Sequence, residues 1–479
     1  MGALARIDGN QPPRRPVNSG TGGRLSIREI ILPLKRIIAA LLIITVLGAI
    51  VLAAISWRRT IDPIQPPSRE SFDSAMIARG AQLEALGDCN SCHTAPGGRL
   101  YAGGRALETP FGTVYSTNIT PDAATGIGRW SEEAFARSMR EGVDREGRHL
   151  YPAFPYDHFR LVSDADIKAI YAYLMTREPV RARAPANELV FPLGFRPLLA
   201  GWKWLYLEQG AYVPDAARSA EWNRGAYLAE GLGHCGACHT PRNALGAERR
   251  DRHFAGGTAE GWHAPALDAS SPSPVPWTEE RLVAYLANEV TPLQGIAAGP
   301  MLPVAHNLAL VSREDVAAIA AYVAWAIGKP AAEHQRKADE IVARVQREEQ
   351  LGPEAAATQD ARSAEAADPV LRTGAELYAG ACAICHGSGR GPSSGAAMHL
   401  AFSTTVALGT PTNFIHVTDD GITPRAGERG RWMPAFRGAF TDQQLAALAA
   451  YVRSRFSIEE PWRDLEREVQ NIRRSAGGG

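Results

Sequence analysis

The longest apolar stretch of the chain lies near its N-terminus. Residues 37–57 read IIAALLIITVLGAIVLAAISW, 21 residues that are long enough to cross a bilayer as a helix. The residues before them carry seven basic and two acidic side chains, so the positive-inside rule keeps residues 1–36 in the cytoplasm and exports the rest. The alternative is a cleaved signal peptide, but the run exceeds the usual length of about 7–15 residues and no clear Ala-x-Ala site follows. We therefore predict a retained transmembrane anchor.

Beyond this stretch, apolar residues recur at helical spacing in three repeats of one unit. Each repeat opens with a helix-like run and closes with a helix that begins at a capping box, a hydroxyl side chain followed three residues later by an acid or amide. The opening runs are residues 76–86, 224–231 and 370–378. The closing helices begin at Ser163–Asp166, Ser312–Asp315 and Thr441–Gln444, and ten residues after each cap stand Tyr173, Tyr322 and Tyr451. We interpret these tyrosines as core residues between the two helices.

The repeats define a mainly α protein with three tandem domains behind the anchor. The domains are predicted at residues 72–180, 219–330 and 369–457, with connectors at 181–218 and 331–368 and a tail at 458–479. The first connector is rich in aromatic residues; we expect it to pack across the first two domains, the alternative being a docking surface for a partner or the membrane interface. The second connector is charged and then rich in Ala and Glu, which predicts a helix running into a flexible tether and a mobile third domain.

The balance of charge and the number of cysteines limit the possible partners and the possible cysteine chemistry. The chain has 51 basic and 51 acidic side chains, which gives no reason to expect a nucleic-acid partner. Its 479 residues and apolar fraction of 45% suit about three domains. All six cysteines fall in three copies of one short motif, so none remains for a disulfide framework.

That motif is Cys-x-x-Cys-His. Its three copies are Cys89, Cys92 and His93; Cys235, Cys238 and His239; and Cys382, Cys385 and His386. The spacing is that of c-type haem attachment, in which two thiols bind the haem and the adjacent histidine ligates iron. Structural zinc would require cysteine pairs some 15–20 residues apart, whereas the copies begin 146 and 147 residues apart, and a thioredoxin-like Cys-x-x-Cys requires no histidine. We predict three covalently bound haem c groups.

The sixth iron ligand is predicted to be methionine in two domains. Met433, followed by Pro434, precedes the capped helix of the third domain, as a ligand loop should. Met301 occupies the same place in the second domain, 62 residues after His239. With only seven methionines in the chain, we assign Met301 and Met433 as axial ligands.

The first domain differs. Phe154 stands where the methionine is expected, 61 residues after His93, and it cannot ligate iron. His158 follows four residues later and is the candidate ligand; Met139, His149 and Met175 are also near in sequence. A surface role for His158 is the alternative. If no side chain ligates, this iron is open and a peroxidase-like haem enzyme becomes the second functional hypothesis.

Two levels of resemblance follow from these residues. A small helical domain with an N-terminal haem motif and a C-terminal capped helix resembles the class I cytochrome c fold. The segments 109–121, 125–130, 149–156 and 219–241 make residues 72–457 similar to the triheme cytochrome c subunits of membrane-bound bacterial dehydrogenases, including the alcohol, gluconate and sorbitol dehydrogenases. The Phe154-Pro155-Tyr156 form resembles members paired with molybdenum hydroxylases of the isoquinoline or nicotinate type.

The resemblance implies electron transfer, with catalysis in a separate subunit. It implies a partner dehydrogenase in the periplasm, whether molybdenum hydroxylase, quinoprotein or flavoprotein, and ubiquinone or a terminal oxidase as acceptor. The chain is thus expected to be anchored in the bacterial inner membrane by one helix, with its haem domains in the periplasm.

Overall fold

The computed structural model describes residues 27–289, 291–351, 368–387, 397–423 and 433–476. It divides into two units, Met1–Ile55 and Ser56–Gly479. Helix α1 (Ile27–Ser56) accounts for the described part of the first unit. Its portion Arg36–Ser56 is apolar and long enough to cross a membrane, and it is the one such helix among the described residues. A single spanning helix agrees with the predicted anchor.

The second unit is mainly helical. Its first predicted domain contains α2 (Ser74–Leu86), α3 (Cys89–Cys92), α4 (Glu132–Glu141), α5 (Tyr156–Phe159) and α6 (Asp164–Met175). The first connector contains α7 (Leu198–Tyr206), and α8 (Ala220–Tyr227), α9 (Gly236–His239), α10 (Glu279–Leu286), α11 (Met301–Leu308) and α12 (Arg313–Ile327) follow. The second connector contains α13 (Ala332–Leu351). The remaining helices are α14 (Pro369–Ala381), α15 (Ala383–His386), α16 (Thr404–Ala407), α17 (Thr412–Asp420), α18 (Asp442–Phe456) and α19 (Leu465–Ala476).

Three helix pairs repeat along the chain: α2 with α6, α8 with α12, and α14 with α18. At each crossing a glycine of the opening helix lies directly on the closing helix. A Cβ added to Gly80 would lie 2.0 Å from the carbonyl oxygen of Ala169; for Gly225 and Ala318 the distance is 1.9 Å, and for Gly374 and Ala447 it is 2.1 Å. The same Cβ atoms would lie 2.6–2.8 Å from the Cβ atoms of Tyr173, Tyr322 and Tyr451. The predicted tyrosines therefore mark the helix crossings.

The closing helices begin where the capping boxes predicted. The hydroxyls of Ser163, Ser312 and Thr441 each accept a hydrogen bond from the backbone N–H three residues on, a cap worth about 1 kcal/mol. The reciprocal bond that completes a capping box forms in α18, where Gln444 accepts from the N–H of Thr441 at 2.9 Å. Asp166 and Asp315 instead pair with Arg79, and Asp315 also pairs with Arg224. These ion pairs join the first two helix pairs.

The first connector is anchored to the first domain. Strands β1 (Ala106–Thr109) and β2 (Gly112–Tyr115) form an antiparallel hairpin, and β3 (Glu188–Leu189) from the connector pairs antiparallel with β2. Farther along, Trp202 of α7 donates its indole N–H to the carbonyl of Leu245 in the next domain at 2.9 Å. The connector thus contacts both domains, as the aromatic composition predicted. A second hairpin, β4 (Gly257–Ala259) with β5 (Trp262–Ala264), lies beyond the second motif.

The first two predicted domains share one hydrophobic core. Buried residues from both sides belong to it, including Leu86 and Val162 from the first and Leu228 and Leu232 from the second. The predicted helical run at 224–231 is only partly α-helical, because α8 ends at Tyr227 and the chain continues as a π-helical turn over Leu228–Leu232. That turn carries the leucines into the shared core.

The second connector begins with the predicted helix, which covers its residues Ala332–Leu351. These form α13, which buries Ala338, Ile341 and Val345 on one face. Ile341 and Val345 pack with Val275 of the second domain and with Ala401 and Phe402 of the third. The rest of the connector, residues 352–367, lies outside the described residues. Helix α13 therefore contacts both the second and the third predicted domains.

The C-terminal tail belongs to the third core. Trp462, Val469 and Ile472 are buried with residues of α14 and α18. Arg473 of α19 donates to both carboxylate oxygens of the fully buried Asp419 at 2.7 and 2.8 Å. The amphipathic pattern of the tail thus extends the domain predicted to end at residue 457.

Candidate haem-attachment sites

Each motif forms one helical turn that places its two sulfurs on the same face. The N–H of His93 donates to the carbonyl of Cys89 at 2.9 Å, that of His239 to Cys235 at 3.0 Å, and that of His386 to Cys382 at 2.9 Å. In a helical turn, residues i and i+3 are neighbours on one side. All six cysteines are free thiols. The turn therefore presents two thiols and the following imidazole together.

The three motif histidines are oriented in the same way. In each ring Nδ1 hydrogen-bonds a backbone carbonyl from a later loop: Thr117 for His93 at 2.6 Å, Pro265 for His239 at 2.6 Å, and Met398 for His386 at 3.1 Å. A carbonyl can only accept, so Nδ1 carries the proton and Nε2 keeps its lone pair. Fixing the tautomer through the second nitrogen is how proteins orient a metal-ligating imidazole.

Burial also keeps these imidazoles neutral. It lowers the pKa of His93, His239 and His386 below the ordinary histidine value, and the carbonyl bond only partly opposes this. A neutral imidazole is the form that binds iron, since a protonated ring has no free lone pair. Paired thiols and an oriented neutral imidazole fit covalent haem c at all three motifs.

The two candidate methionine ligands are half-buried. Met301 is the first residue of α11 and packs against the shared core. Gly299 just before it has a φ of +55°, and a Cβ there would lie 2.5 Å from the indole of Trp262. Met433 exchanges two backbone hydrogen bonds with Ile422 at 2.9 and 3.0 Å, while Arg431 and Trp432 lie outside the described residues. Ligation by Met301 and Met433 stays a prediction.

His158 does not suit the role of iron ligand predicted for it. It is buried, and both ring nitrogens are engaged with the second domain: Nδ1 with the carbonyl of Glu230 at 2.7 Å and Nε2 with Glu248 at 2.8 Å. Burial disfavours the charged ring, but the hydrogen bond and charge of Glu248 outweigh it and raise the pKa of His158 to about 9. His158 is therefore an imidazolium in a buried ion pair, a form with no nitrogen left for iron.

The other candidate iron ligands near the first motif also have partners within the protein. Both ring nitrogens of His149 are hydrogen-bonded, Nε2 to the carbonyl of Ser56 at 3.0 Å and Nδ1 to Nζ of Lys203 at 3.1 Å. Met139 and Met175 are buried in the shared core, and Phe154 packs on Phe159 with ring centroids 5.2 Å apart.

The first and second motifs are directly connected. Arg105 donates to the carbonyl of Ser91, inside the first motif, at 2.6 Å and to both oxygens of Glu260 in the second domain at 2.8 Å. Asn90, also inside the first motif, exchanges amide hydrogen bonds with Asn307 of α11 at 2.8 and 3.3 Å. The first attachment turn therefore touches the helix that Met301 begins.

The second and third predicted domains also meet beside their motifs. Asn413 of α17 exchanges two hydrogen bonds with the backbone of His263, both at 2.8 Å, and Trp262 stacks on His416 with centroids 4.8 Å apart. Met398, whose carbonyl orients His386, lies against the second predicted domain, because a Cβ added to Gly295 would lie 2.3 Å from its Sδ.

Comparison with known proteins identifies the family. The family model for cytochrome c matches residues 77–178, and that for cytochrome c oxidase, cbb3-type, subunit III matches residues 369–452. The chain is 35% identical over 401 residues to the fructose dehydrogenase cytochrome subunit of Gluconobacter japonicus, covering 81% of each protein. The chain belongs to the cytochrome c subunits of dehydrogenases. The predicted family is thus confirmed.

Two further relatives extend the comparison. This cytochrome subunit is 34% identical over 421 residues to the gluconate 2-dehydrogenase cytochrome c subunit of Pantoea cypripedii, covering 85% of the chain and 89% of that protein. It is 46% identical over 428 residues to a nicotinate dehydrogenase subunit of Pseudomonas putida, with 88% of the chain covered but only 34% of the relative. The chain therefore spans about a third of that longer protein.

Membership in this family fixes the general chemistry. A dehydrogenase cytochrome c subunit carries covalent haem c and transfers electrons, while another subunit oxidises the substrate. The hypothesis of a peroxidase-like enzyme accordingly loses its support. The carbonyls of Thr117, Pro265 and Met398 could not be predicted from the sequence, because a backbone carbonyl is present at every residue.

Proposed function

We propose that the chain is a triheme cytochrome c, anchored in the bacterial inner membrane, that takes electrons from a periplasmic dehydrogenase subunit. It passes them to ubiquinone or to a terminal oxidase. The observation that carries this proposal is the threefold repetition of one arrangement, a helical turn with two thiols and an imidazole held at Nδ1 by a carbonyl.

Each haem site would use different residues for covalent attachment, for iron ligation and for orienting the proximal histidine. Cys89 and Cys92 would attach the first haem covalently, His93 would supply its proximal nitrogen, and the carbonyl of Thr117 holds that ring in place. When bound, haem c supplies one-electron chemistry, because its iron cycles between the ferric and ferrous states. Met301 and Met433 would fill the sixth position in the second and third domains.

The contacts between motifs support electron transfer along the chain. Arg105 and Asn90 hold the first attachment turn against the second domain, and Trp262 and Asn413 hold the second against the third. Rigid spacing favours electron transfer because no domain movement is then needed between successive sites. We propose three class I cytochrome c domains in contact, at residues 72–180, 219–330 and 369–457.

Haem stoichiometry tests the triheme proposal. The haem of the purified full-length protein is quantified by its pyridine haemochrome spectrum, and its intact mass is measured. Three haems per chain are expected, and two in the Cys382→Ala/Cys385→Ala variant. Exposed Ser454, changed to Ala, is the control and should keep three. Two haems in the unmodified protein would refute the proposal.

The partner proposed here is a molybdenum hydroxylase of the nicotinate type. The support is the 46% identity to the nicotinate dehydrogenase subunit of Pseudomonas putida, together with the Phe154-Pro155-Tyr156 form. Affinity purification of the tagged chain from solubilised native membranes should recover a molybdenum-containing large subunit. Recovery of a quinoprotein or flavoprotein dehydrogenase instead would exclude this partner while leaving electron transfer intact.

A further inference from the structure

Helix α7 in the first connector buries its one charged residue and exposes two large apolar residues. Lys203 is 8% exposed, whereas Trp204 is 79% and Leu205 is 58% exposed. A helix on a protein surface in water normally buries its apolar residues and exposes its charged ones. An inward lysine beside an outward tryptophan and leucine therefore indicates a surface that does not face bulk water.

Further exposed apolar side chains precede α7 in the same connector. Val190, Phe191 and Phe195 are 56%, 97% and 58% exposed. We call Val190, Phe191, Phe195, Trp204 and Leu205 the connector surface. Single exposed apolar residues are ordinary, but several within sixteen residues of one short connector indicate an interaction site.

Specific contacts hold the backbone of this surface in place. Val190 donates to the carbonyl of Phe111 at 3.0 Å, and Tyr151 donates its hydroxyl to the carbonyl of Leu193 at 3.1 Å. Lys203 donates to the carbonyls of Glu141 and Gly142, at the C-terminal end of α4, at 2.6 and 2.5 Å. A cation is favourable at that end of a helix. The exposure of Trp204 and Leu205 is thus imposed by the fold.

A short chain of hydrogen bonds links the same helix to Ser56. Nζ of Lys203 donates to Nδ1 of His149, and Nε2 of His149 donates to the carbonyl of Ser56, at 3.1 and 3.0 Å. Burial lowers the pKa of His149 to about 4, so the ring is neutral and can accept at Nδ1. Ser56 is the last residue of the apolar helix. One imidazole and two hydrogen bonds therefore connect α7 to that residue.

We propose that the connector surface lies in the interfacial layer of the bilayer in which α1 is anchored, as a second membrane contact of the subunit. The inference rests on the proposed membrane anchoring. If α1 crosses the bilayer, Ser56 lies at its periplasmic end, and the side chains of Lys203 and His149 connect α7 to Ser56 by hydrogen bonds. Tryptophan and phenylalanine are suited to this layer, where an apolar ring meets lipid and polar edges meet water.

The neighbouring charges fit a phospholipid surface. Trp57 is 73% exposed, and Arg58 and Arg59 follow it as exposed residues. Arg196 lies within the connector, donating to the carbonyl of His149 at 2.7 Å with its guanidinium over the ring of Tyr151. Basic side chains beside apolar anchors are attracted to anionic lipid headgroups. This arrangement favours lipid over a partner protein as the occupant.

Photo-crosslinking to lipid tests the proposal with the full-length holoprotein. The protein is reconstituted into nanodiscs of phosphatidylethanolamine and phosphatidylglycerol that contain a phospholipid with a diazirine close to its glycerol backbone. Cross-linked peptides are mapped by mass spectrometry. We expect adducts on residues 190–206 in addition to those on residues 36–57.

Matched variants make the test specific. Leu205→Glu and, independently, Phe195→Glu should reduce the adducts on 190–206 about tenfold, which corresponds to about 1.4 kcal/mol of lost apolar burial for each side chain. Leu310→Glu, which changes a leucine of 64% exposure outside the connector surface, should leave the adducts unchanged. Haem absorbance and thermal unfolding of each variant establish that the fold is retained.

The outcomes separate this inference from the proposed anchoring. Adducts confined to residues 36–57 would refute the second membrane contact while leaving the anchor intact. Release of the protein by alkaline carbonate, with no lipid adducts anywhere, would refute the anchoring and the inference with it. Loss of the adducts on 190–206 when the assembled native complex is probed would assign the surface to the partner subunit and overturn the proposal.

Discussion

Each motif histidine is held by a carbonyl that follows it by 24, 26 and 12 residues respectively. The Cys-x-x-Cys-His pattern identified these histidines because cysteine, histidine and their spacing are themselves the chemical signal. Their orienting partners could not be identified in the same way, because any residue offers a carbonyl. Which one reaches Nδ1 depends on how the later loop folds back over the motif.

His158 shows the opposite case, in which a residue type suggests a role that its surroundings exclude. The spacing from His93 made His158 a reasonable iron ligand. No pattern in the sequence showed that Glu248, ninety residues later, would hydrogen-bond to its Nε2. The side chains of this pair are only 8% and 13% exposed. The pair therefore joins two domains at the cost of two desolvated charges.

Removing His158 should weaken that junction without changing an iron ligand. His158→Ala leaves the Glu248 carboxylate with only the longer contact to Arg242 at 3.8 Å, which should cost about 2 kcal/mol in the free energy of unfolding. The visible and EPR spectra of the first haem should stay as in the unmodified protein. His253→Ala, which removes a half-exposed pair with Glu230, is the control and should cost less than about 1 kcal/mol. A new high-spin ferric signal in His158→Ala would restore His158 as a ligand.

Glu84 should make the stability of the first domain depend on pH. It is 3% exposed, and burial raises its pKa from 4.5 to about 7 despite hydrogen bonds from Tyr101 and the N–H of Asn90. The folded state thus binds this proton more tightly than the unfolded state. Stability should therefore fall as the pH rises from about 4.5 to 7, by about 3 kcal/mol.

Thermal unfolding measured across that pH range, with Glu84→Gln beside the unmodified protein, tests the expectation. The variant should lose this part of the pH dependence, whereas Glu376→Gln, a change at an exposed glutamate of α14, should retain it. Identical pH profiles for Glu84→Gln and the unmodified protein would contradict the assignment.

At the scale of elements, the three helix crossings depend on glycine as much as on apolar burial. Gly80, Gly225 and Gly374 allow the backbones to approach so closely that any side chain would overlap a carbonyl oxygen of the partner helix. The capped helices and their tyrosines were predictable, because caps and helical periodicity are local signals. The crossing glycines recur 9, 10 and 8 residues before the first motif cysteine. That recurrence was present in the sequence, but a single small residue is a weak signal.

Two glycines of one helix give a matched test of the crossing. Gly374→Ala places a Cβ 2.1 Å from the carbonyl oxygen of Ala447, and separating α14 from α18 should cost about 3 kcal/mol or more. Gly380→Ala, also in α14, meets open space and should stabilise the helix by up to about 1 kcal/mol. Thermal unfolding of the third domain should therefore shift in opposite directions. Equal shifts for the two variants would show that the crossing tolerates a side chain.

At the scale of the whole molecule, hydrophobic cores extend across the predicted domain boundaries. One core joins the first two predicted domains, and α13 packs with Val275 of the second and Phe402 of the third. The sequence predicted a helix running into a flexible tether here, because residues 331–368 are charged and then rich in Ala and Glu. The buried positions Ala338, Ile341 and Val345 do follow helical spacing, but so narrow an apolar stripe resembles an isolated solvated helix until its partners are known.

Disrupting the α13 contact should separate the third domain while leaving the other two intact. Val345 is 2% exposed between the domains, so Val345→Asp would bury an unpaired carboxylate and should cost about 3 kcal/mol or more, unless the helix undocks. We expect undocking, seen as faster amide hydrogen exchange in α13 and around Phe402 with unchanged exchange in α2, α6, α8 and α12. Gln346→Asp places the same carboxylate at the adjacent exposed position and should leave exchange unchanged. If Val345→Asp also left exchange around Phe402 unchanged, contacts such as those of Trp262 and Asn413 would be sufficient to hold the third domain. Helix α13 would then be dispensable for the rigid spacing that the proposed electron transfer requires.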